Sequence, residues 1–211
     1  KGQAMRWSGY PKMMRFFSRL SAAPSIRDER QLHVERECAF SPSPAQIADV
    51  VGEPSDPDPS AVCLRYDLYQ PRKQARATLI ALHGITLNGK NDERLMHFAR
   101  CVALSGVRCV VPSLPALSEV HVDARDIDAL SALVAFLKRE YGGPLGMVGF
   151  SYGASYALIA AGRPAIADLV GAVGYAPDGI DFRAVDGELV QLVFLLVSPP
   201  NQPGEHLRAL E

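Results

Sequence analysis

The stretch that decides the fold is GMVGFSYGASYALIAAG, which runs from Gly146 to Gly162. A short apolar run of strand length leads into Gly-Phe-Ser151-Tyr-Gly, and the small residues of a predicted helix follow. Gly-x-Ser-x-Gly between a buried strand and a helix is typical of a nucleophilic serine raised on a tight turn. The residues two before and two after such a serine must be small, and Gly149 and Gly153 meet that need. The alternative is a structural serine in an ordinary strand-to-helix turn.

Short apolar segments alternate with predicted helices on both sides of this motif. The predicted strands are 62–70, 77–84, 107–115, 144–150, 167–177 and 189–199, and the predicted helices are 91–106, 123–143 and 152–162. Wholly apolar strands that alternate with helices indicate an α/β fold, with a mostly parallel sheet and helices on both faces.

The first sixty residues have a different character. Residues 1–40 mix polar and apolar side chains with weak helical spacing, and Ser41 to Ala61 is rich in Pro, Ser and Asp, which predicts a loop or linker. We therefore divide the chain into an N-terminal extension with its linker (1–60), a core (61–177) and a C-terminal strand-helix segment (178–211). The chain begins at Lys1 and not at Met, as a fragment of a longer protein would.

Composition excludes several classes of function. Lys and Arg number 22 against 23 Asp and Glu, so a net charge of −1 gives no reason to expect a nucleic-acid partner. No apolar run reaches the roughly 18 residues of a membrane span, and the N-terminus lacks the apolar region of a secretory signal. The four cysteines show no zinc-binding spacing, and we expect free thiols in a cytoplasmic protein, although an even number also permits disulfides. We expect no metal and no organic cofactor, and nothing in the sequence indicates an oligomeric state.

A second element fits a site at Ser151. The stretch LIALHGITLNG, from Leu79 to Gly89, places His83-Gly84 at the carboxyl end of an earlier predicted strand. Sites in open parallel sheets form beyond those strand ends. The loop can therefore offer the backbone N–H of Ile85 to a developing oxyanion, with the N–H of Tyr152 as a second donor.

With these motifs in order, residues 62–177 resemble the first two-thirds of an α/β-hydrolase. The resemblance rests on the order of strands and helices and on five residues: His83, Gly84, Gly149, Ser151 and Gly153. It implies that Ser151 is the nucleophile and that Ile85 and Tyr152 form the oxyanion hole. It also implies a small-molecule substrate with a carboxylic ester or a related acyl bond.

A serine hydrolase also needs an acid and a histidine base, in the chain order serine, acid, histidine. One histidine, His206, follows Ser151. Asp178 in YAPDGID follows the strand that some members of the family use for the acid, and Asp181 and Asp186 are further options. Each assignment has an alternative, because Asp178 also suits a Pro-Asp-Gly turn and His206 also suits an exposed helix.

Residues 178–211 resemble another family, a piece of the nitrogen- and fructose-type enzyme IIA domain of the bacterial phosphotransferase system. The matching parts are Gly179–Phe182, Asp186-Gly187, Val193–Pro199 and Pro203–Leu210. That family phosphorylates a histidine in a Pro-His context, which this sequence lacks, so the resemblance does not imply phosphotransfer.

Two hypotheses follow for the whole chain. It is either a serine hydrolase completed by Asp178 and His206, or a catalytically incomplete hydrolase-like scaffold or regulatory module with a phosphotransferase-like tail. We expect Val190–Ser198 to join the parallel sheet and Gly204–Glu211 to cover it. The pattern lacks the family's last strand and loop, which would bring a histidine over the serine, so the fold is expected to be incomplete at its C-terminal end.

Overall fold

The computed structural model describes residues 30–52 and 63–163, the single residues Ser18 and Asp28, and the backbone of two later strands, 172–180 and 190–195. Asp181, Asp186, His206 and the predicted helix Gly204–Glu211 lie outside the described residues.

One sheet organises this part of the chain. Its strands lie in the order β1-β2-β4-β3-β5-β6-β7. The elements in chain order are β1 Leu32–Phe40, α1 Pro44–Val51, β2 Leu64–Pro71, β3 Thr78–Leu82, a 3-10 turn Gly89–Asn91, α2 Glu93–Leu104, β4 Arg108–Pro112, α3 Pro115–Ser118, α4 Ala124–Tyr141, β5 Leu145–Phe150, α5 Tyr152–Ala161, β6 Ala172–Ile180 and β7 Val190–Leu195.

The centre of the sheet is parallel and its edges are antiparallel. The four central strands, β4, β3, β5 and β6, run in one direction. At one edge β2 pairs antiparallel with β4 and β1 pairs antiparallel with β2, and at the other edge β7 pairs antiparallel with β6. Side chains alternate between the two faces along each strand. Ile80 and Leu82 therefore enter a core with α1, α4 and α5, while Ala81 enters a second core with α2. The prediction of a mostly parallel sheet with helices on both faces is confirmed.

Residues 32–51 differ from the sequence prediction. The weak helical spacing before residue 40 is misleading, because 32–40 form β1, which pairs with β2 at the edge of the sheet. The loop prediction is wrong for 44–51, which form α1. A capping box starts this helix: the Ser43 hydroxyl accepts the Gln46 N–H, and the Gln46 side chain accepts the Ser43 N–H at 2.7 Å. Pro44 is compatible with the first helical turn, where its missing donor costs nothing.

β7 also differs from the prediction. The predicted strand is present, but it pairs antiparallel with β6, with Ala172 opposite Leu195 and Tyr175 opposite Leu192. The strand therefore joins the sheet as expected, but as an antiparallel strand at its edge. The connection between the two strands, residues 181–189, is shorter than the dozen or so residues that a parallel crossover needs, so the chain returns as a hairpin.

Candidate active site

Ser151 lies on a strained turn between β5 and α5. Its backbone has φ 53° and ψ −125°, in the region that non-glycine residues avoid. Such a residue costs on the order of 1–3 kcal/mol and persists only where its surroundings enforce it. The side chain is exposed. Ser151 therefore stands at the carboxyl edge of the parallel strands, on the tip of a turn that the surrounding packing holds.

Two glycines make the turn possible. A Cβ on Gly149 would collide with the backbone of Gly153 and Ala154, which belong to the first turn of α5. A Cβ on Gly153 would collide with the carbonyl oxygens of Leu82 and His83 at the end of β3. In each case the obstacle is backbone, which cannot rotate away as a side chain can. The requirement for small residues on both sides of Ser151 is therefore steric in origin, as the sequence predicts.

The loop after β3 packs directly against the Ser151 turn. A Cβ on Gly84 would stand 2.7 Å from the Phe150 carbonyl oxygen and 3.0 Å from Ser151 Cβ. Ile85 follows at once, half-buried against the larger core. Tyr152 begins α5, and the N–H groups of the first turn have no partner inside a helix. The structure thus brings the predicted donor loop and the amino end of α5 to the same turn.

His83 fixes the start of that loop. Its Nε2 accepts the Leu114 N–H at 3.0 Å, so Nδ1 must carry the proton, and Nδ1 donates to the Gly84 carbonyl at 2.8 Å. The ring is only 2% exposed, and burial lowers its pKa. A neutral imidazole with both nitrogens occupied is not available to take a proton from Ser151. His83 instead ties the loop to the segment between β4 and α3.

The other described histidines lie elsewhere. His33 contacts Glu35 at 3.1 Å on the edge strand β1, His97 Nε2 lies 3.7 Å from Cys101 Sγ on α2, and His121 Nδ1 lies 4.0 Å from Glu119. Among the described residues, no side chain makes a hydrogen bond with the Ser151 hydroxyl. The described part of the chain therefore supplies the nucleophile turn and the donor loop without a base.

Asp178 lies within β6 and not in a separate turn. The pairing of β6 with β7 is irregular between Tyr175 and Ile180, and Asp178 falls in that stretch. Tyr175 is opposite Phe150 on β5, so the residues that follow it continue toward the edge where Ser151 lies. The position of Asp178 along the backbone is compatible with a role beside Ser151.

The direction of β7 determines where the chain that leads to His206 leaves the sheet. Leu195, at the end of β7, pairs with Ala172, at the start of β6. The chain consequently leaves β7 near the amino ends of the parallel strands, whereas Ser151 lies beyond their carboxyl ends. A histidine at position 206 reaches Ser151 only if residues 196–205 cross the sheet again, and ten extended residues span at most about 33–36 Å.

Two contacts of the loop after β3 and its turn were not predicted from the sequence. One is the bond from Leu114 to His83, for which the sequence holds no local signal. The other is a buried ion pair between Asp67 on β2 and Lys90 in the 3-10 turn, with an N–O distance of 2.8 Å. The sequence gives no signal for the second contact either, because apolar and polar residues alternate in β2 and Asp67 falls among the polar ones, which predicts a solvent-facing side chain.

The described residues show neither a metal-binding cluster nor a membrane-spanning helix. Residues 30–52 and 63–163 contain no group of three His, Cys, Asp or Glu side chains that would hold a metal ion. None of the described helices has the length and apolar character needed to cross a bilayer.

Two solved structures with a similar fold are esterases. Brefeldin A esterase, a bacterial homologue of human hormone sensitive lipase, matches with a TM-score of 0.52 at 12% identity, over 82% of this chain and 50% of its own. The fold of the described residues is thus α/β-hydrolase-like. Esterase Est22 matches with a TM-score of 0.50 at 15% identity, over 82% of this chain and 52% of its own. The α/β-hydrolase-like chain thus spans about half the length of either esterase. No protein-family model and no curated protein matches the sequence.

Proposed function

We propose that this chain is a serine hydrolase that cleaves a carboxylic ester or a related acyl bond. The observation that carries the proposal is the backbone of Ser151, which is held at φ 53° between a parallel strand and a helix. An exposed serine on a strained turn has no evident structural purpose, whereas a nucleophile needs that exposure.

The proposed reaction begins when Ser151 Oγ attacks the carbonyl carbon of the substrate. The backbone N–H groups of Ile85 and Tyr152 bind the oxygen, which becomes negative as the tetrahedral intermediate forms. Loss of one such donor typically costs about 3–4 kcal/mol of transition-state stabilisation. The amino end of α5 points its positive dipole at the same oxygen. Departure of the alcohol leaves an acyl-enzyme at Ser151, which water then hydrolyses.

The proposed base is His206, oriented by Asp178. His206 would take the proton from Ser151 Oγ, deliver it to the leaving alcohol and later activate the water, as the imidazole of such a triad does. The order serine, acid, histidine in the chain and the position of Asp178 along β6 support this assignment.

A fluorophosphonate probe tests the proposal. The probe should form a covalent bond to Ser151, which peptide mapping identifies, and the Ser151→Ala variant should not react. Ser155→Ala is the matched control, because Ser155 is an exposed serine on the same helix, and this variant should react as the wild type does. Absence of labelling in the folded wild type, or labelling that survives Ser151→Ala, would refute the nucleophile.

The second candidate is a hydrolase-like scaffold without a base, or a regulatory module with a phosphotransferase-like tail. The antiparallel direction of β7 favours it, because the chain then leaves the sheet at the edge away from Ser151. This candidate predicts a folded protein that neither reacts with the probe nor hydrolyses esters.

A further inference from the structure

A buried ion-pair network lies beside the 3-10 turn that ends the loop after β3. Lys90 in this turn is almost fully buried, and its ammonium group contacts Asp67 Oδ1 at 2.8 Å as well as the carboxylate of Glu37. Asp67 is itself completely buried, and its second oxygen lies 2.6 Å from Nε of Arg36. The network thus joins the turn to both β1 and β2.

A strained bulge in β1 supplies two members of this network. The register of β1 against β2 shifts between Glu35 and Cys38, and Glu37 has φ 58°. The Glu37 N–H donates to Asp67 Oδ1 at 3.0 Å, and Arg36 Nη2 donates to Asn91 Oδ1 at 2.6 Å. A left-handed conformation at a non-glycine residue persists only where its contacts enforce it. The bulge is therefore held in the form that directs two consecutive side chains at the turn.

The segment between the two anchors is packed at its start and exposed at its end. It runs from Gly84, which lies against the Ser151 turn, to Asn88, and Leu87 within it is 84% exposed. His83 fixes its start together with the packing of Ile85 against the core, and the Lys90 network fixes its end. The exposed part has no core packing to hold it, so the path of the loop beyond Ile85 depends on the Lys90 network.

We infer that Lys90 is a positioning residue for the proposed oxyanion hole. By holding the turn Gly89–Asn91 against Asp67 and Glu37, it fixes the loop in the position that directs the Ile85 N–H at the oxyanion. This inference rests on the proposed function. A buried lysine between two carboxylates is costly to maintain in a merely connecting turn, and the turn leads straight out of the donor loop.

The test compares Lys90→Met with a control that weakens a largely buried ion pair elsewhere. Asp128→Asn is that control, because Asp128 Oδ1 binds Arg163 at 2.6 Å beyond the end of α5 remote from Ser151. The readouts are the second-order rate of fluorophosphonate labelling, kcat and KM for a soluble ester, and the free energy of unfolding. We expect Lys90→Met to slow labelling about tenfold or more and to lower kcat with little change in KM, because small displacements of catalytic groups have effects of this size. Asp128→Asn should destabilise the protein and leave both rates unchanged.

Glu37→Gln keeps the test decisive if Lys90→Met does not fold. Glu37 is half exposed, and glutamine retains its shape while weakening the hold on Lys90. Labelling of this variant should fall below the wild-type rate by a smaller factor than in Lys90→Met. Wild-type labelling rates in every folded Lys90 or Glu37 variant would overturn the inference and leave the proposed function standing.

Amide hydrogen exchange distinguishes a failure of the proposed function from a failure of the positioning role of Lys90. If the folded wild type is never labelled, the proposed function fails, and with it any catalytic role of Lys90. Exchange of the peptide 83–92 then decides whether Lys90 holds the loop. We expect faster exchange in Glu37→Gln than in the wild type or in Asp128→Asn, and unchanged exchange would overturn the structural part as well.

Discussion

The two halves of the candidate site are built in different ways. The nucleophile half consists of the Ser151 turn and the loop after β3, and it is held by backbone contacts between neighbouring parallel strands, with Leu82 opposite Gly149. The base half consists of Asp178 and His206 and depends on the β6–β7 hairpin. That hairpin carries the chain back to the amino ends of the parallel strands, away from Ser151.

The difference shows which parts of such a site local sequence can determine. A turn that admits only glycine at two positions specifies its own geometry, because each added Cβ meets backbone. A base that arrives from a later part of the chain is placed by the direction and length of the connections before it. Both parts of the proposed nucleophile half therefore lie within residues 63–163, while the position of the proposed base depends on the connections that lead to it.

Replacement of the proposed base should have the largest effect on activity. We expect His206→Ala to lower kcat for ester hydrolysis by about 10³-fold or more, because a positioned general base contributes about 10²–10⁴-fold and the triad acts as a unit. His33→Ala, at an exposed histidine on β1, is the matched control and should retain full activity. Undiminished turnover in His206→Ala would remove the C-terminal segment from the mechanism.

Replacement of a glycine beside Ser151 should destabilise the Ser151 turn. We expect Gly149→Ala to lower the free energy of unfolding by about 3 kcal/mol or more, because the new methyl group would force the first turn of α5 away from β5. Chemical denaturation measures this loss, and probe labelling should disappear with it. Gly162→Ala tests the specificity of the effect, since its Cβ would meet atoms no closer than 3.5 Å. Equal stability of the two variants would contradict the steric account.

A partly buried carboxyl on α4 gives a pH-dependent prediction. Burial raises the pKa of Asp126 to about 6, while its carboxylate accepts the Ala116 N–H at the start of α3. An acid whose pKa is raised on folding loses stability as pH rises from the unfolded value of about 4 to the folded value. Asp126→Asn keeps an acceptor oxygen without the charge. We therefore expect this variant to be about 1–2 kcal/mol more stable than the wild type at pH 7, since about 1.4 kcal/mol per pKa unit is reduced by solvent at a partly exposed site.

Denaturation at several pH values checks this prediction. The advantage of Asp126→Asn should shrink as the pH falls and vanish below about pH 4, where both forms are uncharged. A constant difference across this range would show that the substitution acts through packing and not through the charge of Asp126.

The smallest effect is expected outside both halves. Ser43→Ala removes the cap of α1 and should cost about 1 kcal/mol of unfolding free energy, with no change in labelling or turnover. Denaturation combined with an ester assay measures both quantities. A loss of activity in a folded Ser43→Ala protein would mean that α1 contributes to the site.

Much of the fold was predictable because its signals are local. The apolar runs of β3, β4 and β5 and the spacing of α4 locate those elements within one to three residues of the observed ends. Strand β1 was missed because most of its side chains face solvent at the edge of the sheet, so no apolar alternation marks it. Helix α1 was missed because Pro44 was interpreted as a helix breaker, although Ser43 and Gln46 formed a readable capping box.

In the candidate site, too, only the parts with local sequence signals were predictable. Gly149, Gly153 and the His83-Gly84 pair carry their geometry in the residues themselves. The proton position on His83 and the network around Lys90 depend on partners 20 to 50 residues away, which no spacing rule connects. The antiparallel direction of β7 could have been predicted from the sequence, because residues 181–189 are too few for a crossover between parallel strands.

Ser151 and the loop after β3 are proposed to form one acyl-transfer site. A crystal structure of the protein after reaction with a small phosphonate tests this proposal most directly. We expect a phosphorus bonded to Ser151 Oγ, with one phosphoryl oxygen about 2.7–3.1 Å from the backbone nitrogens of both Ile85 and Tyr152. A phosphonate on another residue, or an oxygen that points to solvent away from both nitrogens, would contradict it.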